Sequence, residues 1–116
     1  MSCRLTVLMP VYWDLIEPQE GRFDFAMVDD LIKDARRNNL RLVLLWFASW
    51  KNSMACYAPY WVKADYKRFP RAQDSAGKGL EILSPFSESN RDADTRAFVA
   101  LMRHIRKVDG DRRTVI

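Results

Sequence analysis

Leu42-Val43-Leu44-Leu45-Trp46-Phe47 is an unbroken apolar run with no polar alternation. It is too short for an independent helix, and Asn38-Asn39 precedes it as a helix stop. Such a run predicts a strand buried on both faces, the mark of a parallel sheet. Upstream, Leu5-Thr6-Val7-Leu8-Met9-Pro10-Val11-Tyr12 is a second run of strand formers. Pro10 has no amide donor, so pairing is expected to fail near it and the chain to turn outward there. Between the two runs, Val28, Leu31, Ile32 and Ala35 fall at helical spacing, with Asp29, Asp30, Lys33 and Asp34 between them and Asp24 as the expected N-cap.

Beyond Phe47 the pattern turns irregular from Ala48 to about Ser89. That stretch carries three of the five prolines, a Gly77-Lys78-Gly79 turn and one short amphipathic piece at Tyr60 to Lys63. At roughly forty residues it is too long for an idle connector and is expected to be a functional loop. A last helix is predicted from about Asp92 to Val108, with Ala97, Phe98, Leu101, Met102 and Ile105 on its inner stripe, after which Thr114-Val115-Ile116 opens a third strand. Strand, helix, strand, loop, helix and strand start make consecutive βα units of an α/β fold with a parallel sheet. Three strands do not complete such a sheet, since a closed barrel takes about 250 residues.

The chain has 116 residues, 48% hydrophobic and 29% charged, with a formal charge of +4 and a pI near 9.3. That composition excludes disorder for most of its length. No run approaches the roughly 20 apolar residues of a membrane span, and Met1-Ser2-Cys3-Arg4 lacks the apolar core of a secretory signal. Cys3 and Cys56 match no metal or redox spacing and are expected to be free thiols. No metal-ligand cluster or Gly-rich phosphate loop occurs, so no metal and no cofactor is expected. The basic residues are dispersed, with Lys33, Arg36, Arg37 and Arg103, Arg106, Lys107 closing helices where cations complement the dipole. Tyr57 to Arg71 interleaves aromatic and basic residues in a way that also suits single-stranded nucleic acid. His104 is the only histidine and is expected on a helix flank.

The segment Pro10-Val11-Tyr12-Trp13-Asp14-Leu15-Ile16-Glu17-Pro18-Gln19-Glu20-Gly21-Arg22-Phe23-Asp24-Phe25 resembles the second strand and following loop of barrel-clan glycoside hydrolases. Trp13, Glu17, Pro18, Gly21, Phe23, Asp24 and Phe25 fit the W-x-x-x-E-P-x-x-G-x-(Y/F)-D-F pattern of the family 35, and more loosely family 42, β-galactosidases. Pro59-Tyr60-Trp61-Val62-Lys63 is similar to the P-x-W-L-K that follows strand three in family 35. The resemblance implies an incomplete (β/α)8 TIM barrel catalytic domain over residues 1–116, roughly strands two to four, with two helices and a long loop after strand three. It implies a retaining exo-glycosidase whose two catalytic glutamates lie outside these residues, and a galactoside-like oligosaccharide or glycoside as partner, with no nucleic acid and no membrane. Pro10 stands where family 35 has a galactose-contacting Tyr, and Trp50-Lys51-Asn52 stands near its Cys-Ala-Glu-Trp, which leaves the sugar preference open.

Barrel ligands bind at the carboxyl ends of the strands. The candidate substrate-binding residues are therefore Tyr12 and Trp13 after the first run and Trp46, Ser49, Trp50, Lys51 and Asn52 after the second. Aromatic faces suit the CH surface of a sugar, and Lys and Asn supply donors to its hydroxyls. Among the loop acids Asp14, Glu17, Glu20, Glu81 and Glu88, none has a catalytic context, and Glu17 is expected to anchor its loop by accepting hydrogen bonds. A non-catalytic carbohydrate-binding or structural remnant, and a small basic nucleic-acid-binding module, are the alternative classes.

Overall fold

A computed structural model describes residues 3–51 and 56–116. Strand β1 (Thr6–Tyr12) runs into a single helical turn, α1 (Trp13–Ile16). Helix α2 (Ala26–Arg37) then leads to strand β2 (Arg41–Phe47). Next come a short helix α3 (Tyr60–Lys63), strands β3 (Arg71–Gln73) and β4 (Gly79–Leu83), and the long helix α4 (Glu88–Val108), followed by a 3-10 turn at Gly110–Arg112.

β1 and β2 pair in parallel from Thr6↔Arg41 to Tyr12↔Phe47 without a break. The expected failure at Pro10 does not occur. Leu5 O accepts from Arg41 N at 2.9 Å, and main-chain groups alternate sides along a strand. The odd positions of β1 therefore bond to β2, while Pro10 turns its missing donor to the open edge, where a proline is tolerated. On the other edge of β2, Leu42 N donates to Thr114 O (2.7 Å), Ile116 N donates to Leu42 O (2.9 Å), and Leu42 bridges Val115 in parallel. The third strand start thus adds beside β2, each parallel strand following the last in one direction.

The helices cover one face of this ladder. Val28, Ile32 and Ala35 of α2 and Leu101 of α4 bury against Val11 and Leu42, with Val7, Met9, Leu44 and Trp46 packed beside them. Burying each large aliphatic side chain there contributes about 1.5–3 kcal/mol. The opposite face carries Leu8, Pro10 and Tyr12 on β1, and Val43, Leu45 and Phe47 on β2; none of them is fully buried, and Leu8 is 60% exposed. β2 is therefore covered on one face, not on both as its composition predicts. The molecule measures 58 × 27 × 18 Å with a radius of gyration of 16.3 Å, against about 13 Å for a compact domain of this length.

α4 begins at Glu88, one turn before the expected Asp92, because Ser87 caps it by accepting from Asn90 N. Its buried stripe is Ala93, Ala97 and Leu101 at four-residue spacing, whereas Phe98 and Met102, expected inside, are exposed. Phe98 meets Trp46 edge-on at 6.1 Å. Asp24 does act at the start of α2, although Phe25 holds the cap position, by accepting from Ala26 N at 3.0 Å. The stretch after β2 contains an antiparallel hairpin, β3–β4, that its irregular pattern conceals. Asp74 Oδ1 accepts from Ala76 N and Lys78 N, and Gly77 at φ +80° closes the turn.

Arg36 ties the end of α2 to the end of α4. Its guanidinium donates to Thr114 Oγ1, Val108 O and Asp109 Oδ1, the last at 2.6 Å, while Asp109 Oδ2 accepts from Val115 N. Burial pushes the Asp109 carboxyl up, but the Val115 amide, the Thr114 hydroxyl and the Arg36 guanidinium outweigh it and hold the group below its usual 3.8. A depressed folded value stabilises the protein above the unfolded value and loses that contribution as pH falls through the folded one. Asp109→Asn is accordingly expected to cost about 2–4 kcal/mol at pH 7. The gap to the unmodified chain, measured by urea denaturation, should close on acidification below about pH 4. A gap unchanged down to pH 3 would show that the carboxylate charge is not what holds this corner.

Candidate functional site

The two sequence motifs that stand about forty residues apart meet in space. α1 places Trp13 and Glu17 four residues apart on one side, and Trp13 Nε1 donates to Glu17 Oε2 at 2.8 Å. The other carboxylate oxygen accepts from Gly21 N at 2.9 Å, in a turn that requires φ +76° at Gly21. Trp61 of α3 donates its indole N–H to Glu17 O (3.0 Å) and packs edge-on against Trp13 at 6.1 Å. Glu17 is 4% exposed, and it anchors the loop by accepting from one indole and one backbone donor. Outside this latch, Arg68 makes a two-pronged pair with Glu20, and its hydrogen bonds hold that carboxyl below the usual range. Both partners are well exposed, so the pair is worth about 0–1 kcal/mol.

Alternation along β2 separates the candidate residues. Trp46 points into the helix layer, where its Nε1 donates to Asp94 Oδ1 at 2.7 Å. Ser49 is bound to the same carboxylate, its N and Oγ donating to Asp94 Oδ2 at 3.2 and 2.6 Å. Trp13 is fully buried in the cluster that joins α3, Phe69 and α4. Tyr12 instead lies on the uncovered face and forms an aromatic triad with Phe47 (5.5 Å) and Tyr57 (5.2 Å), Phe47 and Tyr57 being 5.4 Å apart. Lys51 sets its ammonium 4.4 Å from the Phe47 ring centre. Trp50 is 47% exposed and lines a hollow with Ser49, Asn90 and Asp94. Asn52 lies outside the described residues.

Tyr57 was not anticipated from the sequence. The segment holding it bonds to both strand ends, Tyr57 N donating to Ala48 O (2.7 Å) and Asp14 N to Tyr57 O (3.0 Å). An aromatic after a proline-poor, irregular stretch gives no periodic signal, so only the fold reveals it. Asp94, likewise unanticipated, reaches back from α4 to Ser49 after β2; its position four residues after the capped turn is the only sequence trace. His104 contacts Asp29 Oδ1 through Nε2 at 2.5 Å and stacks on Phe25 at 4.3 Å, which places it between α2 and α4, away from the strand ends.

The carboxyl ends of β1 and β2 thus carry an aromatic, cation-flanked patch whose chemistry suits a sugar ring. Residues 1–74 match the β-galactosidase family, glycoside hydrolase family 42. The match covers more than half of the 116 residues, and the chain belongs to that family. No curated protein matches it.

Glu17→Gln tests the latch without changing its shape. A glutamine offers one acceptor to two converging donors and turns an NH2 toward one of them, which should cost roughly 2–4 kcal/mol. Denaturant unfolding followed by tryptophan fluorescence reads the loss, and a change below about 0.5 kcal/mol would remove Glu17 as the anchor of this loop.

Proposed function

We propose that this chain forms the sector of a (β/α)8 barrel spanning strands two to four in a retaining, exo-acting β-galactosidase-like enzyme. In this reading it supplies sugar contacts and no catalytic carboxylate. The observation that carries it is the apolar face made by Leu8, Pro10, Tyr12, Val43, Leu45 and Phe47, which joins neither buried cluster among the described residues, opposite a face on which α2 and α4 pack. A barrel interior is filled by side chains from all its strands, so such a face is what one sector of a barrel presents. The one-directional order of β1, β2 and Val115 supports the same architecture, and family membership supports the glycoside substrate.

The sugar contacts at the strand ends fall to Tyr12, Lys51 and Asn52. Tyr12 offers a ring face to the CH surface of a pyranose, and Lys51 offers three N–H donors to its hydroxyls. Trp13, Trp46 and Ser49 act through position: the first locks the loop after β1 through Glu17, and the other two lock the loop after β2 through Asp94. A retaining glycosidase needs two carboxyl groups about 5–5.5 Å apart flanking the bond that breaks. Glu17 is committed to the latch and Glu20 to Arg68. Glu81 and Glu88 sit on the hairpin and at the start of α4, so protonation of the leaving oxygen and attack on the anomeric carbon fall to carboxylates from elsewhere in the barrel.

The 116-residue chain by itself should therefore show no turnover of aryl β-galactosides. On titration with galactose, amide shifts should appear at Tyr12 and Lys51 and vanish in Tyr12→Ala. Turnover that Glu81→Gln or Glu88→Gln abolishes would place the catalytic acids inside this chain and overturn the reading.

A further inference from the structure

We propose that the β3–β4 hairpin and the loop after β2 build a separate carbohydrate-binding groove, with Trp50 and Phe86 as its aromatic walls, that holds a second pyranose unit of an oligosaccharide. The proposal rests on the glycosidase reading for the class of ligand and goes beyond it in placing a second site on residues that reading does not use.

The groove has a volume of about 540 Å3, with Trp50, Phe86, Arg71, Gln73 and Leu80 among its walls. That size lies inside the range of about 300–1,000 Å3 typical of small-molecule pockets. Trp50 is 47% exposed and Phe86 94% exposed. Among the described residues neither ring stacks on another aromatic side chain, whereas Tyr12, Trp13, Trp46, Phe47, Tyr57, Trp61 and Phe69 are all so engaged. Two free rings cost solvent-exposed apolar area and gain nothing within the chain.

Of the polar groups around them, Arg71 is held in place. Arg71 donates to Lys63 O (2.7 Å) and Phe69 O (3.2 Å), and its guanidinium lies 4.5 Å from the Tyr66 ring centre. Two of its five N–H groups are used there, which leaves a fixed guanidinium edge for further acceptors. Gln73 adds an amide that can both donate and accept. Ring faces flanked by guanidinium and amide groups match a pyranose, whose CH face is apolar and whose rim is hydroxyl.

Trp50 is itself preset. Its neighbour Ser49 is bound to Asp94 through N and Oγ, and its other neighbour Lys51 lies over Phe47 at the strand ends. One loop therefore joins the Tyr12–Phe47–Tyr57 patch to the hairpin groove, so that one oligosaccharide can run from the first to the second. Leu80 and Phe86 lie beyond the residues 1–74 that match the family, whereas Trp50, Arg71 and Gln73 lie within them, so the groove straddles the end of the match.

The test is an NMR titration of the whole chain with galactose and with a β-linked galacto-oligosaccharide, on the unmodified protein and on Trp50→Ala, Phe86→Ser and Tyr12→Ala. The oligosaccharide should bind about tenfold tighter than galactose, and Trp50→Ala or Phe86→Ser should erase that gain. The Trp50 indole N–H resonance should move with the oligosaccharide and not with galactose. Phe86 lies almost wholly in solvent, so its replacement leaves the core intact and a lost gain reports the groove itself. Equal binding of the two sugars, or a gain that survives both variants, overturns the groove. Shifts at Tyr12 with none at Trp50 or Phe86 remove the groove and leave the strand-end reading standing. Shifts at Trp50 and Phe86 that persist in Tyr12→Ala, with none at the strand ends, keep the groove and remove the strand-end site.

Discussion

A single buried carboxylate organises the end of β1. Glu17 would cost several kcal/mol in this position without partners, and it is satisfied by the Trp13 indole and the Gly21 amide, while its own carbonyl receives the Trp61 indole. Trp13 is thereby fixed at the centre of a cluster that includes Ala48, Val62, Phe69, Leu83, Ala93 and Ala97. The loop after β1, the segment at α3 and the first half of α4 are all referred to one point. Tyr12 precedes that point by a single residue, so the direction in which it leaves the strand is set by the latch. The most recognisable residues of the chain, Trp13, Glu17, Gly21 and Trp61, are thus the ones that shape the strand end and turn their own polar groups inward.

The second constraint is the two-sidedness of the β1–β2 ladder. Its odd positions on β1 and even positions on β2 meet α2 and α4, whereas among the described residues the alternate set joins neither buried cluster. Exposed contiguous apolar surface of this kind marks an interface in a soluble protein. The elongated shape has the same cause: layers that close on themselves are compact, whereas a ladder covered on one face stays a slab. Arg36 and Asp109 complete the slab at its far end, fastening α2, α4 and the third strand start together.

Much of the α/β layout was legible because periodicity reports it directly. Val28, Ile32 and Ala35 on α2, the stop at Asn38-Asn39 and the strand starts all lie where the pattern puts them. Pro10 misled because a proline's effect depends on which edge its nitrogen faces, and parity is invisible before a partner strand is known. Phe98 and Met102 misled because apolar character was taken for burial; the true stripe runs through the small residues Ala93 and Ala97, which let α4 approach closely. The hairpin was hidden by its length, since Arg71–Gln73 is too short for alternation to register. For the site, the strand-end rule brought Tyr12, Trp50 and Lys51 to attention, but it could not separate Trp46 from Phe47, adjacent residues that face opposite ways.

That separation explains how the helix layer governs the strand end. β2 delivers Trp46 to one side and Phe47 to the other, and three residues after Trp46 the chain turns Ser49 to the Trp46 side. The inward members, Trp46 and Ser49, converge on Asp94. Asp94 is carried by the part of α4 that Ser87 caps and that Asn90 ties to Pro70 O and Ser84 O at 3.0 Å each. A shift of this helical turn would move Ser49, and with it the backbone of Trp50 and Lys51. The start of α4, the hairpin end at Ser84 and the backbone at Ser49 are consequently tied together, while the Tyr12 side is held independently by Glu17. Two anchors of different origin, a carboxylate within the loop on one side and a carboxylate from a helix on the other, set the spacing between the aromatic faces at the end of β1 and those beyond β2.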